Sequence, residues 1–359
     1  MRLPPRRQAL CATLAKLHVD ALLVTHLPNI RYLCGFTGSA GVLLVNSADT
    51  VFFTDGRYTE QAHAEVHGAR VQIEKKSPLA AAAAWLGRKR PSRLGIEADH
   101  LTVAMQERLR SLLPKPWRLR SLSGTVERQR ILKDASEIAF LRQAVNLGSN
   151  LFQPLLKTIR PGVPETTVAA KLEYSARQAG AAGMSFESIV AAGARSALPH
   201  GRASSTPIPR RGLVVLDFGV ILAGYCSDMT RTVVLGRATA KERVWYNAVL
   251  EAQLAGIAAA RPGVTAGQVD EACRKVLKQN KLAQYFTHST GHGVGLEIHE
   301  PPRLAAGETT VLETGMVLTI EPGVYIPGQG GVRIEDMILV TETGCEVLTP
   351  TSKDLITIA

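Results

Sequence analysis

The spacing of apolar residues changes period repeatedly along the chain, and the manner of change differs on either side of residue 130. Before it, short apolar and β-branched runs alternate with stretches of helical periodicity. ALLVT, GVLLVNS, VFFT, RVQIEK and RLGIEA read as strands, and helical signals fall near 5–18, from about Arg57, near 78–87 and near 102–113. Residues 1–130 are therefore predicted to form an α/β domain. From Ile131 the segment ILKDASEIAFLRQAVNLGSNLFQPLLKTI places apolar residues at helical spacing behind an Asp134 cap, with Glu137 three residues on. A second helix is expected in PGVPETTVAAKLEYSARQAG, with Pro164 near its first turn and Gly180 at its end. SFESIVAAG reads as a strand, helices recur at roughly 239–260 and 265–278, and GMVLTIEPGVY and GGVRIEDMILVTE close the chain as extended runs. Helices grouped with antiparallel hairpins predict an α+β domain over residues 131–359.

Within that second domain, acidic residues interrupt greasy strands. Leu213–Leu235, LVVLDFGVILAGYCSDMTRTVVL, reads as a hairpin, and a turn centred between Leu222 and Ala223 puts Asp217 directly opposite Asp228. Facing carboxylates in an apolar setting repel and are costly to desolvate, so the pair demands a cation. Glu321 after VLTI and Glu335 in VRIEDMILV repeat the pattern on either side of a Gly-rich turn. His292, in STGHGVG, lies between glycines that let the backbone approach a site closely, and imidazole is a common ligand of divalent ions. Singly, each residue has a plainer reading as an edge, bulge or packing residue. Together they suit two closely spaced ions bridged by carboxylates, with manganese, cobalt and zinc admissible.

Composition narrows the class. With 359 residues and 45% hydrophobic content the chain has enough apolar surface for about two cores. No apolar run approaches the ~18 residues of a membrane span, and Lys16, His18 and Asp20 interrupt any signal-peptide core. Cys11, Cys34, Cys226, Cys273 and Cys345 are odd in number and scattered without CxxC spacing, which argues against a disulfide framework or thiolate metal site and for the cytoplasm. The net charge of +11 is concentrated in residues 1–130, with 20 Lys+Arg against 10 Asp+Glu; the remainder has 22 against 21. Its one dense cluster, Arg88, Lys89, Arg90 and Arg93, reads as a solvated loop, so neither a nucleic-acid nor a membrane partner is expected. No Gly-rich phosphate loop joins strand to helix, and Asp55 in DGRY serves as a helix cap.

The motifs LDFG, YCSDMTRT, GHGVGLEIHE, IEPGVY and VRIED resemble those of the pita-bread metallopeptidases. The layout is similar to their proline-specific branch, the Xaa-Pro dipeptidases (prolidases) and Xaa-Pro aminopeptidases. The likeness is dense from Pro199 to Thr349; before Ile131, size, TDGRY and ILKDASEIAFLR imply a creatinase-type N-terminal domain. The resemblance implies that Asp217, Asp228, His292, Glu321 and Glu335 are the dinuclear ligands, with Asp228 and Glu335 bridging, and that the divalent ions, manganese first, activate a water and polarise the scissile carbonyl. No ligand is missing, unlike metal-free creatinase and non-catalytic relatives of the same fold. Methionine aminopeptidases lack the extra N-terminal domain.

By the same likeness, Glu321 is the proton shuttle, His299 stabilises the oxyanion, and His200 and His288 line the pocket for the residue after the scissile bond. Arg333 resembles an arginine that orients ligand carboxylates, and Tyr325, four residues after Glu321, is a further substrate-binding candidate or a packed residue. Proline lacks an N–H and its ring fixes the backbone, so a histidine-lined apolar pocket suits it. Arg303, in HEPPRL, matches an arginine that prolidases set near the substrate carboxylate, which favours a dipeptidase acting on short proline-containing peptides over an aminopeptidase. A non-catalytic protein binding partners through its basic N-terminal domain is the reading from a different class. The resemblance also implies a homodimer in which Arg57 or Tyr58 reaches the other subunit's site, and it leaves the sensitivity of Cys226 to oxidation open.

Overall fold

The computed structural model describes residues 3–75, 77–89 and 92–358, and Arg90 of the basic cluster lies outside them. The chain divides into two compact units, Met1–Arg130 and Ile131–Ala359.

The first unit is the expected α/β domain. Helices α1 (Leu3–Lys16), α2 (Leu27–Cys34), α3 (Thr59–Glu65), α4 (Pro78–Leu86), α5 (Val103–Leu112) and α6 (Glu127–Arg130) accompany strands β1 (Ala21–Val24), β2 (Val42–Asn46), β3 (Thr50–Asp55), β4 (Arg70–Glu74), β5 (Arg93–Glu97) and β6 (Arg118–Leu122). They form one sheet in the order β4-β3-β2-β1-β5-β6, antiparallel between β1, β2 and β3 and parallel elsewhere. Three elements are additions to the periodicity reading: the single turn α6 and two longer ones. LPNIRYLC is a helix of eight residues that ends at Gly35 with φ 89°, too short to declare a period. RLRSL is an edge strand whose arginines alternate with leucines, and such charges discourage further pairing. Asp55 does cap the turn that follows it, accepting from the Arg57 N–H.

The second unit is α+β and is built from two similar halves. In the first half, α7 (Ala135–Leu156) and α8 (Glu165–Gln178) bury their apolar faces on β8 (Ile189–Ala192), β9 (Gly212–Phe218) and β12 (Met229–Leu235). The Asp134–Glu137 capping box starts α7 as expected. In the second half, α9 (Ala240–Ala259) and α10 (Ala266–Gln279) cover β14 (Glu300–Leu304), β15 (Val317–Ile320), β16 (Gly323–Ile326), β17 (Gly330–Arg333) and β18 (Asp336–Val340). Short strands β7 (Gly183–Met184), β10 (Val220–Leu222), β11 (Tyr225–Cys226), β13 (Gly291–Gly293), β19 (Cys345–Val347) and β20 (Thr357–Ile358) complete the ladders.

The aspartate hairpin forms with a different register from the one expected. Its two turn residues are Ala223 and Gly224, at φ 49° and 80°, so Leu222 pairs with Tyr225 and the partner of Asp217 is Thr230, not Asp228. Positive φ at both central residues is the turn that matches strand twist, and it moves the turn centre one residue along the chain. The closing runs also differ from expectation, since each breaks into two strands at its glutamate. β15 and β18 belong to a five-stranded sheet, whereas β16 and β17 make a separate ladder. One register continues through both, with Ile320 opposite Asp336 and Gly323 opposite Arg333, so Glu321 and Glu335 stand opposite each other where the chain changes sheets.

Ala223 holds a left-handed conformation that favours Gly or Asn. Ala223→Asn is expected to stabilise the second unit by about 1 kcal/mol, read as a higher urea midpoint, with unchanged activity; a lower midpoint would contradict this account of the turn.

Candidate metal centre

Asp217 leaves the end of β9, Asp228 precedes β12, His292 is the middle residue of β13, and Glu321 and Glu335 occupy the sheet change. All five line one cavity of about 830 Å³ in the second unit. Asp228, His292 and Glu335 each offer a ligand atom within 4.8 Å of the others. His292 Nε2 lies 3.7 Å from Asp228 Oδ2 and 3.6 Å from Glu321 Oε1.

The glycines flanking His292 provide proximity, not flexibility. A Cβ on Gly291 would lie 1.9 Å from the Thr319 carbonyl oxygen, and one on Gly293 would lie 2.4 Å from that of Pro301. Only glycine lets β13 sit so close to its neighbours. Thr319 Oγ1 accepts from the His292 N–H at 3.0 Å, and Nδ1 of the ring faces the Gly293 carbonyl at 3.0 Å, which directs Nε2 toward the carboxylates.

Arg333 organises the opposite wall. Its Nη2 donates to Asp217 Oδ2 at 2.5 Å, Nη1 donates to the Tyr325 hydroxyl at 2.7 Å and to the Pro199 carbonyl at 3.0 Å, and Nε donates to Thr230 Oγ1 at 3.1 Å. Thr230 in turn donates to Glu335 Oε2 at 2.7 Å. No sequence pattern singles out Thr230 or Thr319; the first becomes visible only in the true hairpin register and the second only once β13 is known to be a strand. Beneath Glu335, Arg231 and Asp336 form a buried pair at 2.7 Å.

The electrostatics favour a cation. Burial and the neighbouring carboxylates raise the Asp228 carboxyl well above its ordinary range; burial, Glu321 and Asp217 do the same to Glu335. Burial, with repulsion from Asp217, takes Glu321 to about 8. Desolvation depresses His292 and His288 to about 4, leaving neutral imidazoles. Asp217 Oδ1 and Asp228 Oδ1 are buried with no hydrogen-bond partner among the described residues. Orphaned acceptors, mutually repelling carboxyls and a neutral imidazole make a donor set suited to divalent metal.

The other predicted residues fall around the same cavity. His299 lines it with its ring 4.5 Å from that of His292, and burial together with His200 lowers its pKa. His200, His288 and Arg303 also line the wall, Arg303 as the cross-strand partner of His292. Tyr325 does not reach the cavity; it is buried behind it, its hydroxyl 2.8 Å from His288 Nε2. Phe186, Ile189, Pro199 and Ile298 supply apolar wall, and nothing in the sequence pattern marks them as site residues.

The family model of metallopeptidase family M24 matches residues 139–342, and that of the creatinase/prolidase N-terminal domain matches residues 6–132. The chain belongs to metallopeptidase family M24. Its second unit is the pita-bread catalytic domain of that family, preceded by a creatinase-type N-terminal domain. A solved Xaa-Pro dipeptidase from Bacillus anthracis is 41% identical with a TM-score of 0.97, covering 99% of this chain and 100% of that one. An Xaa-Pro dipeptidase from Pyrococcus horikoshii is 37% identical over 94% of this chain and 95% of its own. An X-Pro aminopeptidase from Thermotoga maritima is 32% identical with a TM-score of 0.90, covering 98% of this chain and 100% of that one. This M24 chain is thus similar to both peptidase types. Among its described residues no helix is long and apolar enough to cross a membrane.

The raised carboxyl pKa values carry a stability consequence. Above their ordinary range these groups hold protons in the folded protein that the unfolded chain has released, so folded stability falls as pH rises. His288 and His292 act in the opposite sense, but below about 6.5, their unfolded value. Between pH 6.5 and 8 the metal-free protein is therefore expected to lose on the order of 1 kcal/mol per pH unit, while saturating manganese flattens the dependence. Thermal midpoints with and without metal check this; a flat metal-free profile would exclude it.

Proposed function

We propose that the protein is a manganese-dependent Xaa-Pro dipeptidase. The observation that carries this reading is Arg303, directly across the strand pair from His292, which would set a guanidinium beside the centre to meet the free carboxylate of a dipeptide. Asp217, Asp228, His292, Glu321 and Glu335 would hold two divalent ions, with Asp228 and Glu335 bridging; the orphaned Asp217 and Asp228 oxygens support that assignment. Bound there, such ions supply a water of lowered pKa and a polarised carbonyl.

The side chains account for the remaining steps. Glu321, at the edge of the cluster, takes a proton on its carboxylate and returns it to the proline nitrogen as the bond breaks. His299 donates a hydrogen bond to the oxyanion as it develops. His200 and His288, with Pro199 and Phe186, enclose the proline ring, and Tyr325 holds His288 through its hydroxyl. Proline has no N–H to satisfy, which matches a pocket of rings and apolar side chains. The similarity to solved dipeptidases supports this reading, and the similarity to the Thermotoga aminopeptidase keeps longer peptides as the second reading. The scattered cysteines support a cytoplasmic location in this reading, and the resemblance implies a homodimer to which Arg57 and Tyr58 of the first unit are candidate contributions in trans.

Manganese-loaded protein is expected to hydrolyse Ala-Pro faster than Ala-Pro-Ala, and metal-free protein neither, as measured by proline release and by amine release from the tripeptide. Cleavage confined to the tripeptide would replace the dipeptidase reading with the aminopeptidase one. Arg303→Ala should raise KM for Ala-Pro by about 10- to 100-fold, the loss of a charged hydrogen bond worth ~1.5–3 kcal/mol, with little change for the tripeptide. Equal effects on both peptides would remove Arg303 from carboxylate recognition.

A further inference from the structure

The second unit opens with a three-residue segment stitched tightly into its core. Leu132 bridges to Met316, the Lys133 N–H donates to the Gly315 carbonyl at 2.9 Å, and Ile131 packs against the second-half core. From this segment Lys133 reaches inward to Glu300. Its Nζ lies 3.1 Å from Glu300 Oε2, with side-chain exposures of 1% and 3%, and also donates to the Ile131 carbonyl at 3.3 Å.

Glu300 is the residue after His299, and its carboxylate is the post around which the GLEIHE loop folds. The Glu297 N–H donates to Glu300 Oε1 at 3.2 Å, the Gly295 N–H donates to the Glu297 carbonyl at 3.0 Å, and the Cys226 N–H donates to the Gly295 carbonyl at 2.8 Å. A Cβ on Gly295 would fall 2.5 Å from Glu300 Oε1, so the loop closes on the carboxylate itself. Both Glu300 oxygens are thus engaged inside the protein, although the residue belongs to the cavity wall. His299 is left projecting, with its ring against His292.

Stability does not account for this arrangement. A fully desolvated ion pair commonly contributes no more than apolar side chains of the same volume would. What it does provide is a fixed position for the backbone at 299–300. We propose that Lys133 is a positioning residue for His299, acting through Glu300 to aim the imidazole at the reacting carbonyl. This rests on the reading of His299 as the oxyanion donor.

The test uses full-length manganese-loaded enzyme, Lys133→Met, and whichever of Ala-Pro and Ala-Pro-Ala the wild type cleaves. The variant is expected to lose about 10- to 100-fold in kcat with KM within two-fold, to keep its manganese content, and, when both proteins are loaded instead with diamagnetic zinc, to shift the His299 ring resonance in the NMR spectrum while that of His26 stays in place. A folded variant with wild-type kcat, or an unmoved His299 resonance, overturns the proposal. Should Lys133→Met fail to fold, Lys133→Met/Glu300→Gln leaves no unpaired buried charge and is read by the same two measurements. Hydrolysis of neither peptide by the wild type would overturn the proposed function alone, with the His299 resonance still deciding the role of Lys133.

Discussion

The guanidinium of Arg333 ties the aspartate hairpin, the ladder of β16 and β17 and the segment before His200 to one another. It donates to Asp217 on the hairpin, to Tyr325 on the neighbouring ladder, to Thr230 on β12 and to the carbonyl of Pro199 beside His200. A buried cation of this kind is stable only when its donors are met, and here two acceptors, Asp217 and Pro199, belong to the cavity wall and two, Thr230 and Tyr325, lie behind it. The consequence runs both ways: the carboxylates hold the arginine in place, and the arginine fixes the distances among the groups that would bind metal and substrate. Arg231 has a similar role in the layer below, where it pairs with Asp336 and donates to the carbonyls of Thr351 and Ser352.

The two halves of the second unit show why the fold suits such a centre. Each half buries a pair of helices on a sheet; Asp228, Glu321 and Glu335 sit where strands end or change partners, while Asp217 is paired within the ladders of β9. The closest backbone approaches around the site fall at glycines. Gly291 and Gly293 admit backbone to within contact of β15 and β14, and Gly295 admits the Glu300 carboxylate. The first unit carries its own polar cluster, in which Glu97 accepts from Thr25, His26 and Asn29.

Much of this is legible in the sequence, for a physical reason. An acid inside a β-branched run contradicts its surroundings, so Asp217, Asp228, Glu321 and Glu335 stand out, and all four line one cavity with His292. Register is not legible, because it depends on which two residues take positive φ, and Ala223 is a poor advertisement for that conformation. Nor can periodicity reveal that the closing strands change sheets at Glu321 and Glu335, since both halves of each run are equally apolar. The short helix at Leu27–Cys34, the apolar wall residues and the threonines beneath the carboxylates escape for a common reason: nothing in their composition conflicts with an ordinary core.

The shared register of the two closing ladders has a metrical meaning. Adjacent strands are held about 4.8 Å apart by backbone hydrogen bonding, a length independent of side-chain chemistry. Acids at matched positions of neighbouring strands need only lean toward each other to meet one cation. Glu321 and Glu335 sit in the gap between the Ile320–Asp336 and Gly323–Arg333 pairs, so the ladders on either side set the separation of their backbones. Drift in the surrounding sequence can then alter affinity or selectivity while the gauge of the site is inherited unchanged.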